Sequence, residues 1–114
     1  MVHPDRALVW LHGEIRTPPF SAVGRIEAGQ LLRALQRGIR LHFPHVRAMP
    51  TIGARCLELR IPDEHVSWRV VVRVDHDAVV IAGIFAKKST RTPDEVIRSC
   101  RRRLAEYDRL TGGE

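Results

Sequence analysis

Three short runs with strand-like patterning, joined by two polar connections, constrain this chain more than any other feature. The runs are Cys56–Ile61, Trp68–Val74 and Ala78–Phe85, and the connections contain PDEH and DHD. Runs of this length that are bounded by turn-forming residues are typical of neighbouring antiparallel strands. The third run is apolar almost throughout, as expected of a strand that is covered on both faces. The sequence therefore predicts an antiparallel meander at the centre of the fold.

Charged and apolar residues alternate in the first two runs. Because successive side chains of a strand point to opposite faces, one face is predicted to be apolar. The other face gathers the charged side chains Glu58, Arg60, Arg69 and Arg73. It is either a solvated surface with cross-strand ion pairs or a binding surface. Three cations follow the third run: Lys87, Lys88 and Arg91. This cationic loop favours a ligand that carries phosphates.

Length and composition indicate one small domain spanning residues 1–114. The hydrophobic content of 44% and the charged content of 28% are ordinary for a soluble globular protein. No apolar run approaches the ~20 residues of a membrane span, and the first residues lack the apolar stretch of a secretory signal. The predicted location is the cytoplasm, without a membrane partner. A formal net charge of +6 favours nucleic acid, the ribosome or an acidic protein as partner.

Cysteine and histidine usage argues against a metal or disulfide framework. Cys56 lies in a strand pattern and Cys100 on the apolar side of a helix pattern, so both are interpreted as reduced packing residues. The closest histidines, His42 and His45, bracket a proline and have no CxxC companion. We interpret them as solvated loop residues, and neither a metal nor a cofactor is predicted.

The residues before the meander predict a strand, a helix and a loop. Leu8–Leu11 is a short apolar run, and Ser21 is a suitable N-cap for a helix that ends near Gly38. Gly24 and Gly29 inside this helix are expected to mark close packing against the sheet. The proline-rich and glycine-rich stretch 41–55 is predicted to be a loop or a broken short helix.

A second helix is predicted after the meander. Thr92 provides an N-cap, Pro93 the first helical position and Glu95 a capping carboxylate. The helix places an arginine run largely on its outer side: Arg98, Arg101, Arg102 and Arg103. Such a run is either a solvated face or a contact for nucleic acid or a partner protein.

Several motifs in one order resemble those of a known family. They are WLHGEIRTPPFS at 10–21, IEAGQLLRALQRG at 26–38, PHVRAMPTIGARCLELRI at 44–61, SWRVVVRVD at 67–75 and IFAKKSTRTP at 84–93. This set resembles the RelE/ParE superfamily of bacterial type II toxins, most closely its HigB-like, phage-derived branch. The resemblance implies an α+β, RelE-like (microbial-RNase-like) fold. Its small antiparallel sheet would carry one or two N-terminal helices and a C-terminal helix.

The resemblance also implies an activity and partners. Members cleave messenger RNA in the ribosomal A site until a cognate antitoxin, here expected to be a helix-turn-helix protein, masks them. The family's basic strand residues correspond to Arg60 of ELR and Arg69 of WR. Its basic residues after the last strand correspond to Lys87 and Lys88, whereas Glu58 stands where some relatives have Lys.

The predicted chemistry is metal-independent RNA cleavage, in which the RNA 2′-hydroxyl is the nucleophile. Glu58 is the expected base, Arg60 and Arg69 are expected to stabilise the phosphate, and Lys87 or Lys88 is expected to protonate the leaving oxygen. Three further residues are expected to bind RNA: Arg55, Arg73 and Arg91. The alternative is a non-catalytic toxin or binding module of the same fold, either gyrase-directed as in the ParE branch or an inactive relative.

Overall fold

A computed structural model of the protein describes residues 4–11, 20–88 and 90–112. These residues form one five-stranded sheet and two helices. The elements are β1 (Ala7–Trp10), α1 (Ala22–Gln36), β2 (Val46–Ala48), β3 (Cys56–Pro62), β4 (Ser67–Val74), β5 (Ala78–Ala86) and α2 (Asp94–Thr111). The α+β class and the compatibility with a RelE-like fold are confirmed.

The sheet has the strand order β1-β5-β4-β3-β2, and its centre is the predicted antiparallel meander β3-β4-β5. Two expectations about its edges were wrong. The sheet is mixed because β1 runs parallel to β5, so it is not antiparallel throughout. Residues 46–48, predicted to lie in a loop or broken helix, form the edge strand β2 against β3. Hydrogen bonds to β3 satisfy the backbone N–H and C=O groups of this strand. Local propensity does not predict such pairing, because the partner strand lies elsewhere in the sequence.

Both faces of the sheet are covered by a helix. The face with Leu59, Ile61 and Val70 packs against α1 and forms the larger core cluster. The opposite face, predicted to be polar, packs against α2 through Cys56, Val71 and other apolar residues. The interpretation of this face as a solvated surface is therefore wrong. Four polar side chains are buried in the described part of the chain: Glu58, Arg69, Arg73 and Thr92.

A close contact between β5 and α2 explains one of the glycines. A Cβ at Gly83 of β5 would lie 2.9 Å from the Cys100 sulfur, so a glycine there lets α2 approach the sheet. Cys56 and Cys100 are buried and reduced, which confirms their prediction as packing residues. Burial raises the pKa of the Cys100 thiol to about 11. Gly29 packs against nothing in the described part of the chain, so the expectation of close sheet packing there was wrong.

The N-terminus of α1 is fixed by Asp63 in the β3-β4 connection. Ser21 is the N-cap, as predicted, and its side chain accepts a hydrogen bond from the Gly24 N–H. The Asp63 carboxylate accepts hydrogen bonds from the Ser21 hydroxyl, the Ser21 N–H and the Trp68 indole N–H. A Cβ at Gly24 would lie 2.6 Å from this carboxylate. Because Gly24 has no side chain, the Asp63 carboxylate has room to lie at the N-terminus of α1, which is the positive end of the helix dipole.

The start of α2 differs from the sequence prediction. Pro93 occupies the N-cap position, and no side chain caps the first turn. The Thr92 hydroxyl, expected to cap the helix, instead donates a hydrogen bond of 2.6 Å to the Glu58 carboxylate. A buried carboxylate is a stronger acceptor than solvent, and this bond ties the start of α2 to β3.

We expect Asp63→Ala to lower the melting temperature in a pH-dependent way. The hydrogen bond from the Ser21 hydroxyl, and then the bond from the Ser21 N–H, lower the pKa of Asp63 to about 2. A lowered carboxyl pKa stabilises the fold above the ordinary value of 3.8, and this stabilisation is lost as the pH falls towards 2. Thermal melts should show a clear gap between variant and wild type near pH ~6 that closes near pH ~2. Asp77→Ala is the control, and a gap independent of pH would contradict this account.

Candidate functional site

A single buried carboxylate is surrounded by basic side chains where β3, β4 and the residues after β5 meet. Glu58 of β3 is only 2% exposed. Four cations surround it, and together with Glu58 they are called here the cationic cluster: Arg47, Arg60, Arg69 and Lys87. The excess of positive over negative charge makes this cluster an attractive site for an anion.

Strand register explains how the members of the cluster meet. Arg47 of β2 lies opposite Glu58, and Arg60 of β3 lies opposite Arg69 of β4. Residues in these pairs share one face of the sheet. Lys87 follows β5, and its backbone N–H donates a hydrogen bond of 2.8 Å to the Ser67 carbonyl at the start of β4. The meander therefore brings together residues that are far apart in sequence.

The Glu58 carboxylate is held from two sides. Its Oε2 accepts the hydrogen bond from Thr92, and its Oε1 lies 3.5 Å from the Arg47 guanidinium and 3.7 Å from Arg69 Nε. Thr92 also accepts a hydrogen bond of 3.3 Å from Arg47. A general base must reach the 2′-hydroxyl of the RNA, and the buried Glu58 carboxylate does not offer that access. Its position suits a role in orienting the guanidinium groups of Arg47 and Arg69.

Arg69 is an unfavourably placed cation. It is 5% exposed, and its Nη1 donates to the Ser67 hydroxyl at 2.6 Å and to the Trp68 carbonyl at 3.0 Å. Its buried Nε has no hydrogen-bond partner within the described part of the chain. Burial, followed by repulsion from Arg60, lowers the pKa of Arg69. A bound anion would relieve the repulsion between these cations.

Arg60 of β3 is the arginine that lies opposite Arg69 of β4. Its guanidinium lies 5.3 Å from the centre of the Phe43 ring, and its buried Nε also lacks a partner among residues 4–11, 20–88 and 90–112. Phe43 is 72% exposed. An exposed aromatic ring beside a cation provides a surface on which a nucleobase can stack.

The two lysines after β5 differ in their surroundings. Lys87 is partly buried and Lys88 is exposed. Burial, and then repulsion from Arg69, lower the pKa of Lys87. Lysine becomes a better proton donor when its pKa falls, so the surroundings of Lys87 suit the role of an acid.

Comparison with known proteins connects this arrangement to a family. Residues 20–105, well over half of the chain, match the family model described as Phage derived protein Gp49-like (DUF891). The protein is a member of the Gp49-like family. This family is associated with RelE-like toxins. No curated protein and no solved structure matches the chain. The whole cationic cluster of the Gp49-like protein lies within the matched residues.

Two of the predicted RNA-binding residues lie outside the cluster of the Gp49-like protein. Arg73 binds both oxygens of Asp75 and of Asp108, with distances of 2.7 to 3.0 Å. Arg55 lies 3.3 Å from Asp75. Both arginines line a cavity of about 660 Å³ that also contains Asp77. Their charges are balanced by these carboxylates, so this end of the sheet does not favour a phosphate.

Arg91, the third predicted RNA-binding residue, lies close to the cluster. It is exposed, and its guanidinium lies 2.8 Å from Asp94 at the start of α2. It lines a cavity that Arg47 of the cluster and Thr92 also line. The structure therefore brings Arg91 near Glu58, whereas Arg55 and Arg73 belong to the opposite end of α2.

Sequence reasoning missed three residues of this site in the Gp49-like protein: Arg47, Phe43 and Thr92. Arg47 was assigned to a loop, although the alternation of β2 places it on the Glu58 face. Phe43 lies in LHFPH, where an aromatic residue among polar neighbours was the available signal. Thr92 was interpreted as an N-cap, because no local pattern indicates a partner 34 residues away.

Among residues 4–11, 20–88 and 90–112, no group of three or more His, Cys, Asp or Glu side chains is arranged to hold a metal ion. Within the same ranges, neither helix combines the length and the apolar character needed to cross a lipid bilayer.

Proposed function

We propose that this Gp49-like protein is the toxin of a type II toxin–antitoxin pair and acts as a ribosome-dependent messenger RNA endoribonuclease of the RelE/ParE superfamily. The cationic cluster is the observation that carries this proposal. It gathers four cations, among them a lysine with a lowered pKa, around one buried carboxylate. Membership of a family associated with RelE-like toxins and the motifs of the HigB-like branch support it.

The proposed reaction is transfer of a phosphate ester within the RNA. The 2′-hydroxyl oxygen attacks the adjacent phosphorus and gives its proton to solvent water, while the bond from phosphorus to the 5′-oxygen breaks and that oxygen takes a proton from the protein. The products are a 2′,3′-cyclic phosphate and a free 5′-hydroxyl. The nucleophile is part of the substrate, so this route needs no metal. The protein has to stabilise the charged transition state and to protonate the leaving oxygen.

The residues of the cluster divide these tasks. Arg60 and Arg69 stabilise the charge on the phosphate, since their guanidinium groups lie on one face at paired positions. Lys87 supplies the proton to the 5′-oxygen, because its pKa is lowered and it is only partly buried. Glu58, beneath Thr92, acts as a positioning residue for Arg47 and Arg69.

The proposed partners follow from the same assignment. The ribosome and messenger RNA are polyanions, and a net charge of +6 favours their association with this chain. A cognate antitoxin, encoded next to the toxin as a helix-turn-helix protein, would cover the cluster. The site of action is the cytoplasm, where the ribosome operates.

The test compares two adjacent lysines. Brief induction of the wild type should arrest growth and produce discrete messenger RNA 5′ ends in the ribosomal A site, and the neighbouring gene product should reverse both. Lys87→Met should slow cleavage about a hundredfold or more, because a general acid contributes at least that factor. Lys88→Met removes the same charge from an exposed position and should cut almost as well as the wild type.

The pH dependence adds a second readout. A lysine acid works only while protonated, so wild-type cleavage should decline as the pH rises through the lowered pKa of Lys87. This alkaline decline should be absent from the residual activity of Lys87→Met. Growth arrest with gyrase inhibition and without RNA cuts would instead support the ParE-like binding module. Unimpaired growth at high expression of folded protein would exclude an active toxin.

A further inference from the structure

A second anion-attracting cavity adjoins the cationic cluster and has no role in the proposed reaction. It has a volume of about 900 Å³ and lies between the residues after β2 and the start of α2. Arg47 and Thr92 belong both to its lining and to the site around Glu58. RNA bound with its scissile phosphate at Arg69 would therefore have a neighbouring nucleotide within reach of this cavity.

The lining matches the chemistry of a nucleotide. Pro50 and Ile97 offer apolar surface for the faces of a base. Thr51 and Thr90 offer hydroxyl groups that can both donate to and accept from a base edge. The volume of the cavity lies within the range of about 300–1,000 Å³ that is typical of small-molecule sites.

The charges of the cavity also favour a phosphate. Arg47, Arg91 and Arg101 are its basic residues, and Asp94 is its acidic residue. Arg101 of α2 is exposed. The excess of arginine attracts the backbone of an RNA strand, while the hydroxyl groups and apolar surface distinguish one base from another.

We propose that this cavity binds the nucleotide next to the scissile phosphate and determines which base is tolerated there. The inference rests on the proposed function for the position of the cut, while binding of RNA in the cavity does not depend on cleavage. It assigns a specificity role to Arg101 and Thr51, neither of which belongs to the cationic cluster.

The test uses Arg101→Ala and Thr51→Val, with Arg102→Ala as the control for lost charge. Arg102 is an exposed arginine on the same helix and does not line the cavity. The first measurement is fluorescence anisotropy with a short RNA whose 2′-hydroxyl at the cut is replaced by hydrogen. Arg101→Ala should weaken binding of this RNA about tenfold, and Arg102→Ala should weaken it much less.

The second measurement is the base composition beside the cuts in messenger RNA. Arg101→Ala and Thr51→Val should relax the base preference at one neighbouring position while cleavage itself persists. Wild-type cleavage with unchanged RNA affinity and base preference in both variants would overturn the inference alone. RNA binding that depends on Arg101 without any cleavage would overturn the proposed function and support the cavity as a nucleotide site. Absence of both binding and cleavage would overturn both.

Discussion

Arg69→Met should abolish most RNA cleavage and leave the protein at least as stable as the wild type. A donor aimed at the charge that develops in a transition state contributes about a hundredfold or more to the rate. Methionine has a similar length and no charge, so the substitution leaves little cavity. Loss of cleavage without loss of folding is the expected signature of a residue retained for function.

The stability part of this expectation follows from the surroundings of Arg69. Its pKa is lowered by burial and by repulsion from Arg60, and these exceed the attraction of Glu58. Its Nε is buried without a hydrogen-bond partner in the described residues. An unpaired buried donor and a repelled charge both destabilise the folded state. Their removal should therefore keep or raise the melting temperature.

The measurement combines single-turnover cleavage on programmed ribosomes with thermal melts. Arg102→Met on the exposed side of α2 controls for the loss of one positive charge. Equal cleavage by Arg69→Met and the wild type would remove Arg69 from the catalytic residues. A fall in melting temperature of about 10 °C would show that Arg69 is instead a structural residue.

Arg73→Met, four residues along the same strand, should have the opposite effect. We expect it to destabilise the fold by about 3 kcal/mol, because removing one partner of a buried ion pair leaves the others uncompensated. For a domain of this size, the melting temperature should fall by about 10 °C or more. Cleavage by the remaining folded protein should change little, since Arg73 lies about 13 Å along β4 from Arg69.

The hydrogen bonds of Arg73 explain this difference. Its guanidinium donates to both oxygens of Asp75 and both oxygens of Asp108, and it lies 6.0 Å from the centre of the Tyr107 ring. The two carboxylates raise the pKa of Arg73. This bidentate arrangement attaches the last turns of α2 to β4, and a charged group bound in this way stabilises the folded state.

Chemical denaturation with RNA cleavage as a parallel assay tests this expectation. Arg109→Met is the control, because its pair with Glu106 lies on the exposed surface of the same helix. A surface pair contributes little, so the control should stay close to the wild type. A stable Arg73→Met protein with lost cleavage would return Arg73 to the RNA-binding residues.

Arg69 and Arg73 illustrate how much of the site can be predicted from the sequence. Alternation with period two placed Arg69 and Arg73 on one face with Glu58 and Arg60, and the register confirms that placement. The meander and both helices were likewise predicted from local patterns of turn formers and apolar spacing. These features depend on backbone geometry over a few neighbouring residues, and local residue patterns predict that geometry.

Only the tertiary structure decided which partners the charged residues on that face have. The segment before α2 covers Glu58 with Thr92, and the end of the same helix covers Arg73 with Asp108. These contacts join residues 34 and 35 positions apart. No local pattern records them, because they depend on where α2 packs across the sheet. The sequence determined the face and its charges, and the packing of α2 decided that Asp108 neutralises Arg73, whereas Arg69 and Lys87 share the single carboxylate of Glu58 with other cations.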